Sequence, residues 1–304
     1  MSALFSAGPK VEVIEFTDPV CTWCWGIEPI LRKLETQFGE QLEVSYVMGG
    51  LVKDITEFYD SYNDIGRDPV RSNANIAKHW LEASSRHGMP VEVEGFQLFS
   101  KDHPSSYPQN IAYKAAQIQD PQLAKRFLRR LREASAAEAR QTNRTEVLLE
   151  IAAEVGLDVA RFLEDFRDGN AGLAFERDLA LTAQYGARGF PSFLVRYGQN
   201  EVLLRGYKGY EEFVAVIQHL SDGKIEALEI SSNEESIMEF VERYGSVAPV
   251  EIGTAFDLSS RQLDDVIASL TRRQRIEVRK VGNGHLIALK AGAMACDVDA
   301  GVCA

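Results

Sequence analysis

Two cysteines, Cys21 and Cys24, frame the dipeptide Thr22-Trp23 in "VEVIEFTDPVCTWCWGIEPILRKLETQFG". They fall where a β-branched run gives way to a helical pattern, so Cys21 is expected at a helix N-terminus. Only a thiolate attacks a disulfide, and an isolated thiol is mostly protonated at neutral pH. Unpaired backbone N–H groups at a helix start stabilise a thiolate placed there. A second cysteine one turn on is shielded, yet close enough to expel whatever the first has captured. Redox exchange is therefore the chemistry this pair fits best. Half of a zinc site and two incidental buried thiols are the alternatives. A zinc site needs two further ligands at suitable spacing. The chain has no second Cys-x-x-Cys, and its five histidines form no local cluster.

A thiol nucleophile also needs a place to hold its substrate. A cis X-Pro bond just ahead of a strand can present the preceding residue's backbone beside the sulfur without laying a side chain over it. Phe190–Pro191 in "RGFPSFLV" stands where such a bond is needed, and the cis isomer is expected there although trans is the ordinary form. Trp23 and Trp25 are candidates for an apolar substrate rim; core packing is the competing reading for both.

The elements that must position these residues follow from periodicity. "VEVIEF" reads as a buried strand, and "CTWCWGIEPILRKLETQFG" as a helix kinked at Pro29 and stopped by Gly39. "LEVSYVMGG" is a second strand, completing a right-handed βαβ unit. Helical patterns dominate from about residue 58 to 175. After them come "SFLVRYG" and "EVLLRGY" as a hairpin and "YEEFVAVIQHL" as a closing helix. The order β-α-β, helical insert, α-β-β-α is the thioredoxin plan, an α/β fold with an inserted all-helical subdomain. Its two parts are expected at residues 1–57 and 176–222, with the insert at 58–175.

"VIEFTDPVCTWC", the helical insert and "GFPSFLV" together resemble the DsbA family of thioredoxin-fold thiol-disulfide oxidoreductases, in particular its cytoplasmic FrnE-like members, described as protein-disulfide isomerases. The resemblance covers about residues 11–220. It implies that Cys21 is the nucleophile, Cys24 the resolving cysteine, Pro191 the cis-proline with Phe190 before it, and Glu15 an acidic proton relay beneath the site. A strand carboxylate that merely meets solvent is the alternative for Glu15. Thr22-Trp23 stands where secreted DsbA proteins carry Pro-His, which implies a less stabilised thiolate and a less oxidising pair, suited to a reductase or isomerase. A non-catalytic thioredoxin-fold adaptor that binds a protein partner is the rival reading. Glutathione-dependent isomerases of the same plan rank lower, because they usually carry serine where Cys21 stands.

The reading calls for no dissociable cofactor and no metal, since the cysteines carry the electrons. Its partners are a disulfide-containing protein or peptide and a thioredoxin- or glutathione-type reductant that recycles the pair. A formal charge of −12 disfavours nucleic acid and anionic membranes. "MSALFSAGPKVEV" lacks a basic n-region, and no apolar run reaches the roughly 18–20 residues of a membrane span, so the expected location is the cytoplasm.

Residues 231–290 change pattern. Three helical stretches precede two strands around Gly282-Asn283-Gly284, a winged-helix-like arrangement. Nine acidic residues stand against eight basic ones there, and Asp264 and Asp265 lie on the helix that would read DNA, so protein contact or homodimerisation is preferred. In "AKRFLRRLREA", Lys125, Arg126, Arg129 and Arg130 are expected on solvated helix faces. A tail, residues 291–304, carries Cys296 and Cys303. These could form a second redox pair that exchanges with Cys21, a four-thiolate zinc site with the first pair, or two incidental thiols.

Overall fold

The computed structural model describes residues 9–290; Cys296 and Cys303 lie outside them. Strand β1 (Val11–Thr17) alternates buried and less buried positions before becoming wholly buried at its end, and β2 (Leu42–Met48) does the same. The two pair in parallel, with Glu15 opposite Tyr46. The crossover between them is not one kinked helix. It is two helices, α1 (Thr22–Gly26) and α2 (Glu28–Phe38), which meet at Ile27. Pro29 lies in the first turn of α2, where its missing N–H leaves no bond unmade, and so it opens a new helix.

A two-residue hairpin, β3 (Tyr59–Asp60) and β4 (Ile65–Gly66), comes before any helix of the insert. The helices are α3 (Pro69–His87), α4 (Tyr107–Gln119), α5 (Pro121–Ala136), α6 (Thr145–Glu154), α7 (Val159–Arg167) and α8 (Asn170–Gln184). α8 runs unbroken through 175 and 176, so it belongs to the insert and to the sheet's own layer at once. The chain then returns as β5 (Ser192–Tyr197) and β6 (Asn200–Arg205), closed by α9 (Tyr210–Ser221). Both strands are antiparallel to their neighbours, giving the sheet order β2-β1-β5-β6. This is a DsbA-like thioredoxin fold. β1 lies in the middle of the sheet, so its end carries the Cys-x-x-Cys loop into the centre of the molecule.

The remaining elements are α10 (Glu234–Tyr244), β7 (Ser246–Val247), α11 (Pro249–Ala255), α12 (Ser260–Arg272), β8 (Ile276–Val281) and β9 (Gly284–Leu289). They form a three-stranded sheet of order β7-β9-β8 around a core that includes Ile237, Val241, Ile252, Leu270 and Ile287. Short β7 is not legible in the sequence. The β8–β9 turn packs against the insert: a Cβ on Gly282 would overlap the backbone of Val91. Beside it, Asn283 and Val91 exchange hydrogen bonds, Asn283 N–H to Val91 O at 3.1 Å and Val91 N–H to Asn283 Oδ1 at 2.9 Å. The hairpin tip is thus spent on an internal contact. Asp264 and Asp265 are exposed on α12. Among the described residues no helix is long and apolar enough to cross a membrane.

Candidate active site

Cys21 caps α1. Its φ/ψ of −78°/115° is extended, and its Sγ accepts the Cys24 backbone N–H at 3.4 Å. α1 is only five residues long, so a local N–H rather than a long helix dipole faces the sulfur. Both cysteines are free thiols. Cys24 is fully buried, and burial first, then the neighbouring Cys21, pushes its thiol well up from the ordinary range. That suits a sulfur that stays protonated until it is needed. The loop before Cys21 is pinned by buried Asp18. Its carboxylate accepts the N–H groups of Val20 (3.0 Å) and Leu51 (2.7 Å), the Ser106 hydroxyl (2.9 Å) and the Asn110 amide (2.8 Å). The sequence signal for Asp18 was an Asp-Pro turn directly ahead of the motif.

Phe190 and Pro191 lie on the other side of Cys21. The Phe190–Pro191 bond is cis. The Cys21 thiol donates to the Phe190 carbonyl at 3.5 Å, which places that backbone against the sulfur. The Phe190 ring lies over Gly49 so closely that a Cβ there would overlap it. Trp23 packs edge-on between His87, at 5.8 Å between ring centroids, and Tyr207, at 5.7 Å. Trp25 is no part of a rim. It is buried, its indole N–H donates to Pro90 O at 2.9 Å, and the Arg129 guanidinium sits 4.6 Å from its ring. His87, at the end of α3, fills the space over Gly26 and accepts the Met89 N–H at 3.1 Å; burial holds its imidazole down to about 4. A lone histidine in an amphipathic helix gave no sequence signal of this contact.

Beside Cys21 opens a cavity of about 360 Å³. Val20, Trp23, Leu51, Phe99 and Phe190 make its walls apolar, while Asp60, His79 and Arg86 stand along its edge. It can receive an apolar side chain flanking a substrate cysteine.

Beneath the thiols lies a buried charge ladder. Glu15 does not meet solvent: its Oε1 is paired with Arg132 Nη2 at 3.0 Å, and both side chains are fully buried. The same Nη2 donates to Thr17 Oγ1 at 2.5 Å, and Arg132 Nη1 pairs with Glu28 Oε1 at 2.6 Å. Glu15 Oε2 has no hydrogen-bond partner among the described residues. Burial raises the Glu15 carboxyl even against the lowering effect of Arg132. Glu28 comes out the other way. Burial pushes it up, but Arg32, Arg132 and Arg129 together hold it at about 2.

Arg129 corrects the expectation of a solvated face on α5. It is buried and grips Glu251 of α11 with both nitrogens, at 2.7 and 2.8 Å. Arg130 is also mostly covered, paired with Glu138 at 2.8 Å and Glu154 at 2.7 Å. α5 is amphipathic as its sequence reads, and Arg126 on its polar face is exposed as expected; Arg129 on that face is covered instead by carboxylates from α2 and α11. Among the described residues no cluster of His, Cys, Asp and Glu could hold a metal ion.

The profile of the thioredoxin family matches residues 15–215, from the buried glutamate to the last helix of the main sheet. The chain belongs to the thioredoxin family. Among solved structures the cytosolic disulfide reductase DsbM from Pseudomonas aeruginosa is similar, with a TM-score of 0.55 and 23% identity, over 69% of this chain and 98% of that one. This likeness shows the fold. Among curated proteins the chain is similar to the ClpXP adapter protein SpxH of Halalkalibacterium halodurans, 27% identical over 278 residues, 90% of this chain and 87% of the relative. The Bacillus subtilis protein of the same name is 25% identical over 273 residues, 88% of this chain and 85% of the relative. These relatives match over more of this thioredoxin-family chain than the reductase does.

Proposed function

We propose that the protein is a cytoplasmic thiol-disulfide oxidoreductase working through Cys21 and Cys24. The observation that carries this reading is the placement of Cys21 Sγ between the Cys24 N–H and the Phe190 carbonyl, at the mouth of an apolar cavity. The Cys21 thiolate attacks one sulfur of a substrate disulfide; that S–S bond breaks, the departing thiolate takes a proton, and a mixed disulfide forms. Cys24 then loses its proton to Glu15 and attacks Cys21 Sγ. The mixed bond breaks, a Cys21–Cys24 disulfide forms, and the substrate leaves with two thiols, reduced by the two electrons the pair has lost. A thioredoxin- or glutathione-type dithiol returns them. The extended substrate backbone lies along Phe190–Pro191, and an apolar side chain beside its cysteine enters the cavity next to Trp23. Insulin-disulfide reduction tests the reading: Cys21→Ser abolishes turnover, and turnover unchanged in that variant would remove the enzyme.

A second reading is favoured by a different observation, the match of the SpxH relatives across nearly the whole chain. On it the protein is an adapter that presents a protein partner to ClpXP. Binding of purified ClpXP to a chain carrying serine at both Cys21 and Cys24 tests it. Binding retained without insulin turnover supports the adapter, and no binding by either form removes it.

A further inference from the structure

We propose that Glu251, on the C-terminal unit, is a positioning residue for the thiol pair: through the buried ladder Glu251–Arg129–Glu28–Arg132–Glu15, the seating of that unit tunes the carboxylate beneath Cys24. The inference rests on the oxidoreductase reading of that pair. Every rung is a charged contact of 3.6 Å or less. Glu251 holds Arg129 with both carboxylate oxygens at 2.7 and 2.8 Å and anchors its own helix by accepting the Ala248 N–H at 2.6 Å. Arg129 Nη1 also lies 3.6 Å from Glu28 Oε2, and Arg32 stands 2.7 Å from that same oxygen. Glu28 accepts from Arg132 Nη1 with its other oxygen, and Arg132 Nη2 donates to Glu15.

Glu251, Glu28, Arg132 and Glu15 are all essentially without solvent exposure, so water cannot replace a lost partner. Glu251 holds Arg129 closest, so of the three guanidiniums around Glu28 it is Arg32 and Arg132 that pair with it at hydrogen-bond distance, and Arg129 stands farther off at 3.6 Å. Without Glu251, Arg129 turns its charge on Glu28, Glu28 loosens from Arg132, and Arg132 closes on Glu15. The network also loses one negative charge, so the field at the thiol pair becomes more positive. The dithiol carries the Cys21 thiolate that attacks, whereas the disulfide carries no charge; the change therefore favours the dithiol.

The test is the equilibrium of the Cys21/Cys24 pair with glutathione, read in the full chain by mass-resolved alkylation of the peptides bearing the two cysteines. Glu251→Gln keeps shape and removes charge; Glu235→Gln removes the same charge from an exposed position of α10 and is the control. Losing one charge from a coupled buried network is expected to shift the constant toward the dithiol by about two- to thirtyfold. A folded Glu251→Gln chain with an unshifted constant, or an equal shift in Glu235→Gln, overturns the proposal. If Glu251→Gln does not fold, hydrogen exchange in the unaltered protein decides. Coupling is reciprocal, so the Ala248 amide exchanges faster in the dithiol than in the disulfide form; equal rates overturn the proposal. Alkylation does not depend on turnover, so a shifted constant without insulin reduction would sink the catalytic reading and leave this one standing.

Discussion

Replacing Glu28 by glutamine removes the carboxylate that three guanidiniums share. Burial raises that carboxyl, yet Arg32, Arg132 and Arg129 hold it at about 2, against 4.5 in the unfolded chain. Because the folded value lies below the unfolded one, the unfolded chain takes up its proton first. The ionised group therefore contributes stability that is complete well above pH 4.5 and is lost as pH falls toward 2. The gap between the two values corresponds to about 3 kcal/mol at pH 7 and about 1 kcal/mol at pH 3. Loss of one partner from a buried ion pair typically costs a similar ~3–5 kcal/mol. Urea unfolding followed by tryptophan emission measures it, since Trp25 and Trp80 are buried. Glu28→Gln is expected to unfold at lower urea than the parent at pH 7, with most of the difference gone at pH 3. A loss below about 1 kcal/mol at pH 7, or one of the same size at both pH values, would mean that packing rather than the ladder's charge matters, and would refute the reasoning.

His87 supplies a second pH signature in a different window. Burial holds its imidazole at about 4, below its ordinary 6.5, so the unfolded chain binds the proton first and stability falls as pH drops from 6.5 to 4. His87→Phe is expected to flatten that fall by about 3 kcal/mol in urea titrations at the two pH values; an unchanged slope contradicts it. Gly49→Ala inserts a methyl into the Phe190 ring. It should destabilise by about 1–3 kcal/mol in urea and lower insulin turnover on the order of tenfold by displacing the backbone beside Cys21; turnover equal to the parent would show that Phe190 does not position substrate. Arg279 pairs with Glu133 and Glu138 from a side chain half exposed to water, so Arg279→Ala should cost about 0–1 kcal/mol in the same unfolding assay. A larger loss would make that surface contact a main anchor of the C-terminal unit.

The strand, the thiol pair at a helix start and the Phe-Pro ahead of β5 were legible because each is a local pattern: a β-branched run, a Cys-x-x-Cys spacing, an X-Pro followed by apolar residues. Their meeting in space follows from the central place of β1, which the element order implies. The charge ladder was not legible. Arg129 and Arg132 sit on the polar face of an amphipathic helix, where solvent is the ordinary neighbour. What meets Arg129 is Glu251, 122 positions away, and what meets Arg132 is Glu28 and Glu15, more than a hundred positions away; no periodicity encodes those contacts. Glu15 could be placed beneath the site by resemblance, but its partner could not, because that partner comes from the insert and not from the sheet. The break at Ile27 was missed for a simpler reason: Pro29 inside an apolar helical pattern reads equally as a kink or as the first turn of a new helix.

The most direct test of the central claim is the intact mass of the Cys24→Ser chain after reaction with a disulfide-bonded peptide, followed by peptide mapping. A Cys21 that attacks and a Cys24 that resolves predict a persistent mixed disulfide on Cys21, released within the parent chain and absent from Cys21→Ser. An adduct that never forms on Cys21, or that the parent retains as long as Cys24→Ser does, would contradict the account.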